Sequence, residues 1–184
     1  MLANRLKCWW LFGLLLSSLM ATAQPARIIV IRHAEKPENS EDAHLSEAGR
    51  VRARKLVKWL SQGAALGTNG TPTALYAAQP TRNGHSIRCV ETLEPLANQL
   101  QCHLRTPYLA SEYESLAADI LRDKSLQGKN IVICWTHDYL PQLAVSLGIN
   151  KSLKWRSEDF ESAYIITFAK GKAALKIKRQ ELAD

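Results

Sequence analysis

Two histidines in this chain directly follow runs of apolar residues. The run 28–31 leads into Arg32 and His33, and the run Asn130–Trp135 is followed by Thr136 and His137. A neutral imidazole is a nucleophile, and an arginine guanidinium binds two oxygens of a phosphate at once. Residues of these types at these places therefore point to chemistry on an anionic group such as a phosphate.

The two apolar runs have the pattern of strands that are buried on both faces. Both are rich in β-branched residues and end abruptly in polar side chains. Ligands of open α/β sheets bind beyond the carboxyl ends of the strands, so we expect Arg32, His33 and His137 to meet at one edge of the sheet. The alternative is that each histidine is an ordinary residue satisfied by backbone, and this is less favoured because both strands end in the same way.

Strands and helices alternate along the rest of the chain. Ser46 is typical of a helix N-cap and Gly63 of a helix end, and a polar turn separates this helix from the next strand. The remaining predicted elements are a strand at 73–77, a helix with its apolar face at 93–100, a strand at 103–106, helices around 113–121 and 140–147, and strands at 163–169 and 173–179. The pattern predicts an α/β fold, a three-layer sandwich with a mainly parallel central sheet flanked by helices and a C-terminal β-hairpin.

The length and the N-terminus predict one exported domain. Residues 1–23 resemble a signal peptide, with Arg5 and Lys7 before an apolar stretch and Ala21-Thr22-Ala23 as the cleavage site. The apolar stretch is shorter than the roughly 20 residues that span a bilayer, so an uncleaved membrane anchor is less favoured. We expect residues 24–184 to be a periplasmic or secreted domain with no stable membrane span after cleavage.

The formal net charge of +7 at pH 7 suits an anionic partner. The basic residues are scattered and lack interleaved aromatic residues, so we expect no binding of nucleic acid. Two denser basic stretches, 50–58 and 170–179, are expected to be the solvated faces of a helix and of a hairpin.

Cysteines and potential metal ligands give little sign of a disulfide framework or a metal site. Three cysteines follow the signal segment. Cys89 and Cys102 are separated by a predicted helix and lie too far apart to pair, so any disulfide would have to include Cys134. The chain contains no CxxC motif, no HExxH motif and no close pair of histidines. We therefore expect neither a metal nor a cofactor.

Four motifs resemble those of the histidine phosphatase superfamily, the phosphoglycerate mutase-like proteins, and they occur in the family's order. They are Arg32-His33-Ala34-Glu35 at the family's RHG motif, Leu45-Ser46-Glu47-Ala48-Gly49 at a helix start, Arg88-Cys89-Val90-Glu91-Thr92 at R-x-x-x-T, and Thr136-His137-Asp138 at the late histidine. The resemblance implies a metal-independent phosphatase in which His33 carries the phosphoryl group. It also implies that Arg32, Arg88 and His137 bind that group. The substrate would be a small phosphorylated molecule or a cell-envelope phosphate.

Two departures from the family pattern bear on this assignment. Ala34 stands where the family usually has glycine, which removes a permissive backbone position and places a methyl group near the phosphate. The loop 78–87 is longer than usual, so Arg82 is an alternative to Arg88.

The sequence offers more than one candidate for the proton donor and more than one activity. The family resemblance implies one of two proton donors: a glutamate, which would be Glu112 or else Glu114, or the aspartate Asp138. Asp138 could instead be the N-cap of the helix that follows it. A phosphate-binding protein with lost or weak turnover is the alternative function. A phosphomutase is less favoured because the compact chain has little length for a lid that would exclude water.

Overall fold

The computed structural model of the protein describes residues 24–38, 41–63 and 65–182. The predicted signal peptide, 1–23, lies outside the described residues. Within those ranges, no helix combines the length and the apolar character needed to cross a bilayer.

A six-stranded sheet forms the centre of the fold. Its strands are β1 (Arg27–Arg32), β2 (Ala74–Ala77), β3 (Leu104–Arg105), β4 (Asn130–Trp135), β5 (Ser162–Ala169) and β6 (Lys172–Arg179). They lie in the order β3-β2-β4-β1-β5-β6. The first four in this order pair in parallel, whereas β5 pairs antiparallel with both β1 and β6. The predicted mainly parallel sheet and terminal hairpin are confirmed.

Four helices flank the sheet. They are α1 (Glu47–Gln62), α2 (Ile87–Leu100), α3 (Tyr113–Arg122) and α4 (Leu140–Ser146). Helix α1 packs against α2, and α3 packs against α4. As predicted, Ser46 caps α1, because its Oγ accepts from the Gly49 N–H at 3.0 Å, and Gly63 ends the helix.

The centre of the sheet brings the two predicted site segments together. Strands β1 and β4 are neighbours and pair in parallel, with Ile31 opposite Cys134 and Arg32 opposite Trp135. Ile28–Ile31 and all of β4 are buried. Because parallel neighbours end at the same edge, the segments that follow them emerge side by side. The expected convergence of Arg32-His33 with His137 rests on this pairing.

The remaining sequence features lie at the surface or in the core as expected. The basic stretch 170–179 forms the turn and the exposed edge strand β6, and the stretch 50–58 lies on α1. The three cysteines in the described part of the chain are free thiols, with Cys89 and Cys134 buried and Cys102 partly exposed.

Candidate active site

His33 is held in the form that a nucleophile requires. It follows β1 directly and is only 6% exposed. Its Nδ1 lies 2.7 Å from the Ala34 carbonyl oxygen. A carbonyl can only accept, so Nδ1 carries the proton and donates, which leaves the lone pair on Nε2 free.

The surroundings of His33 keep its imidazole neutral. Burial, and to a smaller extent the positive charges of Arg32 and Arg88 and the neighbouring His137, lower the pKa of His33 to about 3. The hydrogen bond to Ala34 acts in the opposite direction but does not outweigh burial. At neutral pH the ring is therefore unprotonated, and three cationic or potentially cationic side chains surround it.

Arg32 is fixed by the segment 153–161, the last part of the connection from α4 to β5. Its guanidinium lies over the Phe160 ring, 3.9 Å from the centroid, and one of its terminal nitrogens donates to the Ser157 carbonyl. The Arg32 Nε is buried and has no partner among the described residues. Sequence reasoning missed Ser157 and Phe160, because two aromatic residues in a mostly polar, aperiodic segment do not indicate a contact with Arg32.

Of the two candidate arginines, Arg88 and Arg82, Arg88 is the one whose charge lowers the pKa of His33. Arg88 lies in the first turn of α2, and its guanidinium donates to the Asp42 carbonyl at 3.0 Å. Its charge acts on both His33 and Arg32. Arg82 is exposed in the loop before α2 and is not among the charges that act on His33.

Ala34 fits the position where the family usually has glycine. Positive φ values at described residues other than glycine occur only at Ser86, Gln101 and Lys170, so Ala34 does not need glycine's freedom. Its side chain is buried in a small apolar cluster with Leu45 and Ala53. The Ala34 backbone is therefore not strained, and its methyl group packs in the apolar cluster, so neither feature indicates interference with a bound phosphate.

Two other motif residues brace the segment after His33. The Thr92 Oγ1 accepts from the Ala34 N–H at 2.9 Å and donates to the Arg88 carbonyl at 2.7 Å, so it joins the segment after His33 to the start of α2. Gly49 lies so close to this segment that a Cβ on it would be 2.3 Å from the Glu35 carbonyl oxygen. The first turn of α1 can pack here only because this residue has no side chain.

His137 and Asp138 lie together after β4. The His137 Nε2 is 3.3 Å from the Asp138 Oδ1. Burial and the charge of Arg32 lower the pKa of His137 below its ordinary value, and the opposing effect of Asp138 does not offset them. Lys36 also acts on His137 and is a further cation at this edge that sequence reasoning missed. Helix α4 begins after Tyr139 without a side-chain cap, so the interpretation of Asp138 as its N-cap is wrong.

The two glutamates proposed as alternative proton donors lie in different settings. The Glu112 carboxylate accepts from the Leu109 N–H at 2.8 Å and thereby caps a short 3-10 turn, Ala110–Glu112. Glu114 lines the same cavity as His137 and Asp138, and Glu112 does not. The structure thus brings Glu114, rather than Glu112, to the site.

Comparisons with known proteins find similarity at the level of structure. No protein-family model matches the chain, and no curated protein matches it. The protein histidine phosphatase SixA, solved with tungstate, superposes with a TM-score of 0.55 at 12% identity, over 84% of this chain and 97% of that one. A mycobacterial glucosyl-3-phosphoglycerate phosphatase, solved with inorganic phosphate, gives a TM-score of 0.57 at 12% identity, with coverages of 84% and 97%.

A third similar structure is the phosphoserine phosphatase of Entamoeba histolytica with 3-phosphoglyceric acid. It has a TM-score of 0.56 at 13% identity and covers 84% of this chain and 98% of that one. In all three cases the match covers nearly the whole length of the similar structure. The protein has the histidine phosphatase fold. At these identities the comparisons establish the fold, and the chemistry has to be argued from the residues of this chain.

The histidine phosphatase fold explains how motifs far apart in the sequence meet. Arg32 ends β1 and His33 follows it, Arg88 lies in the first turn of α2, and His137 follows β4, the parallel neighbour of β1. Within the described ranges, no three His, Cys, Asp or Glu side chains form a group that could hold a metal ion. The groups that this fold assembles around His33 are instead suited to an anion.

Proposed function

We propose that the protein is a phosphatase that hydrolyses phosphomonoesters through a phosphohistidine on His33, without a metal ion. The observation that carries this proposal is the state of His33. Its imidazole is neutral, its Nδ1–H is held by Ala34, and Arg32, Arg88 and His137 surround it. A neutral, oriented imidazole among cations is what attack on a phosphate requires.

The reaction divides into two displacements at phosphorus. In the first, the His33 Nε2 forms a bond to phosphorus while the ester P–O bond breaks, and the departing oxygen takes a proton from a carboxyl group at the site. In the second, water attacks the phosphohistidine and gives a proton to the same carboxylate, the P–N bond breaks, and inorganic phosphate, free His33 and the protonated carboxyl group result. Arg32 and Arg88 offset the negative charge on the phosphoryl oxygens and His137 donates a hydrogen bond to them, and each contributes about 2 to 4 kcal/mol to transition-state stabilisation.

Hydrolysis of p-nitrophenyl phosphate in the presence of EDTA tests this function. We expect steady release of nitrophenol that EDTA does not reduce and that inorganic phosphate inhibits competitively, because product and substrate share the cationic site. Binding of phosphate without any release of nitrophenol would instead identify a binding protein. Loss of the activity on chelation would contradict the metal-independent mechanism.

Asp138 is the proposed proton donor, because it adjoins His137 at the site and its carboxylate is otherwise exposed. We expect Asp138→Asn to lower kcat by about 10²-fold for alkyl phosphates, whose leaving groups need a proton. The loss for p-nitrophenyl phosphate should be much smaller, since nitrophenolate departs without one.

Glu114→Gln is the matched variant for the other carboxylate in the same cavity. If Glu114→Gln shows the dependence on leaving group and Asp138→Asn loses both activities equally, the donor is Glu114. A loss that is independent of the leaving group in both variants would exclude both carboxylates.

We further propose that the protein is exported and meets its substrate in the periplasm or outside the cell. The basic start, the apolar stretch and the small residues up to 23 support this proposal. An exported enzyme would meet small phosphorylated molecules or phosphates of the cell envelope. N-terminal sequencing of the protein recovered from the exported fraction should find a start near Gln24, and a start at Met1 or Leu2 would contradict cleavage.

A further inference from the structure

A cavity of about 640 Å³ opens beside His137 and Asp138. The nucleophile and the leaving oxygen lie on opposite sides of phosphorus in an in-line displacement. The leaving oxygen must also reach the proton donor, and Asp138 and Glu114 both line this cavity. The cavity is therefore the place for the part of the substrate beyond its phosphate.

Two aromatic side chains form fixed walls of this cavity. The Trp155 Nε1–H donates to the Asp159 carbonyl at 2.9 Å, and the indole packs edge-on against Tyr164 with centroids 4.7 Å apart. Tyr113 is stacked on Tyr139, with centroids 5.5 Å apart and 28° between the planes. Aromatic walls already held in place bind a ligand without an entropic cost for ordering them.

The polar groups of the cavity favour an uncharged ligand with several hydroxyls. The side chains of Glu114 and Gln142 supply acceptors and an amide donor. Neither side chain makes a hydrogen bond or ion pair within the described part of the chain. The described lining residues include two carboxylates, Glu114 and Asp138, but only one lysine, Lys154, and no arginine. A second phosphate or carboxylate would therefore lack a bidentate partner and would meet like charge.

From this cavity we propose that the phosphatase acts on sugar phosphates and binds the sugar ring against Trp155, with Glu114 and Gln142 on its hydroxyls. The C–H bonds of one sugar face carry partial positive charge and complement the negative face of an indole. A carboxylate and an amide can each bind neighbouring hydroxyls. The volume of the cavity accommodates a ring, which the phosphate-binding groups alone would not require.

The proposal rests on the proposed function, so the test separates the two. The substrates are glucose 1-phosphate, glucose 6-phosphate and mannose 6-phosphate, with glycerol 3-phosphate as the acyclic reference. We expect kcat/KM for the best hexose phosphate to exceed that for glycerol 3-phosphate by about tenfold or more. Failure to hydrolyse every one of these substrates, and p-nitrophenyl phosphate as well, would overturn the phosphatase function itself.

Variants show whether the preference resides in the cavity. Trp155→Leu should reduce the ratio of hexose phosphate to glycerol 3-phosphate by about tenfold. Since Trp155 also braces the loop that holds Arg32, any general loss affects both substrates and cancels in the ratio. Trp59→Leu makes the same change on α1 at a separate surface depression and should leave the ratio unchanged.

A second variant guards against a folding defect in Trp155→Leu. Gln142 is an exposed residue of α4, so Gln142→Ala should fold normally and still reduce the ratio by about threefold. Hydrolysis of glycerol 3-phosphate at least as fast as all three hexose phosphates would overturn the sugar site and leave the phosphatase function standing. A ratio that is unchanged in both Trp155→Leu and Gln142→Ala would overturn it as well.

Discussion

His33→Ala is expected to abolish phosphatase activity, with a loss of at least about 10³-fold in kcat, because no other described group can take over the covalent step. The wild-type enzyme, quenched in denaturant during turnover, should carry a phosphate that is labile to acid and stable to base. That stability pattern is characteristic of a bond from phosphorus to nitrogen. The variant should show no such adduct.

The fold should survive this substitution. The side chain of His33 makes one hydrogen bond, to the neighbouring Ala34 carbonyl, and lies beyond the end of β1 rather than within it. His103→Ala, at an exposed position before β3, is the matched control and should retain full activity. Substantial turnover by His33→Ala, or a phosphate on an aspartate or serine, would contradict the mechanism.

Arg88→Ala should lower kcat/KM by about 10² to 10³-fold, because it removes one of the two guanidinium groups that offset charge at the phosphoryl oxygens. The same change at Arg82 should have little effect, since that side chain is exposed in the preceding loop and does not act on His33. Steady-state kinetics of both variants with p-nitrophenyl phosphate distinguish the two arginines.

Arg88→Lys gives a finer test of the same assignment. A lysine keeps the charge but cannot bind two oxygens at once, so activity should be restored only in part. If Arg82→Ala were the more damaging change, the assignment of the second phosphate ligand would have to be reversed.

The site residues that could be predicted from sequence are those whose positions are determined by the secondary structure. Buried strands have a simple sequence pattern, and His33 and His137 follow such strands at once. Their relative position then follows from the rule that parallel strands end at one edge. Arg88 could be assigned only through its motif, because a residue at the start of a helix carries no pattern that aims it at a strand end.

The remaining part depends on loops and on single hydrogen bonds. The support of Arg32 by Phe160 and Ser157 joins residues more than 120 positions apart through a segment without periodicity. The choice between Glu112 and Glu114 depends on a short 3-10 turn that engages the first and leaves the second facing the cavity. Neither arrangement follows from a local preference, so only three-dimensional packing decides them.

The edge strand β6 carries charges that oppose the addition of a strand from another copy of this protein. As the last strand of the sheet, it presents unpaired backbone groups over its eight residues, to which a strand from another chain could add. Lys172, Lys176 and Lys178 recur along it, so a second copy approaching this edge brings ammonium groups against ammonium groups. The repulsion discourages fibre-like growth of the sheet, and it weakens as salt screens the charges.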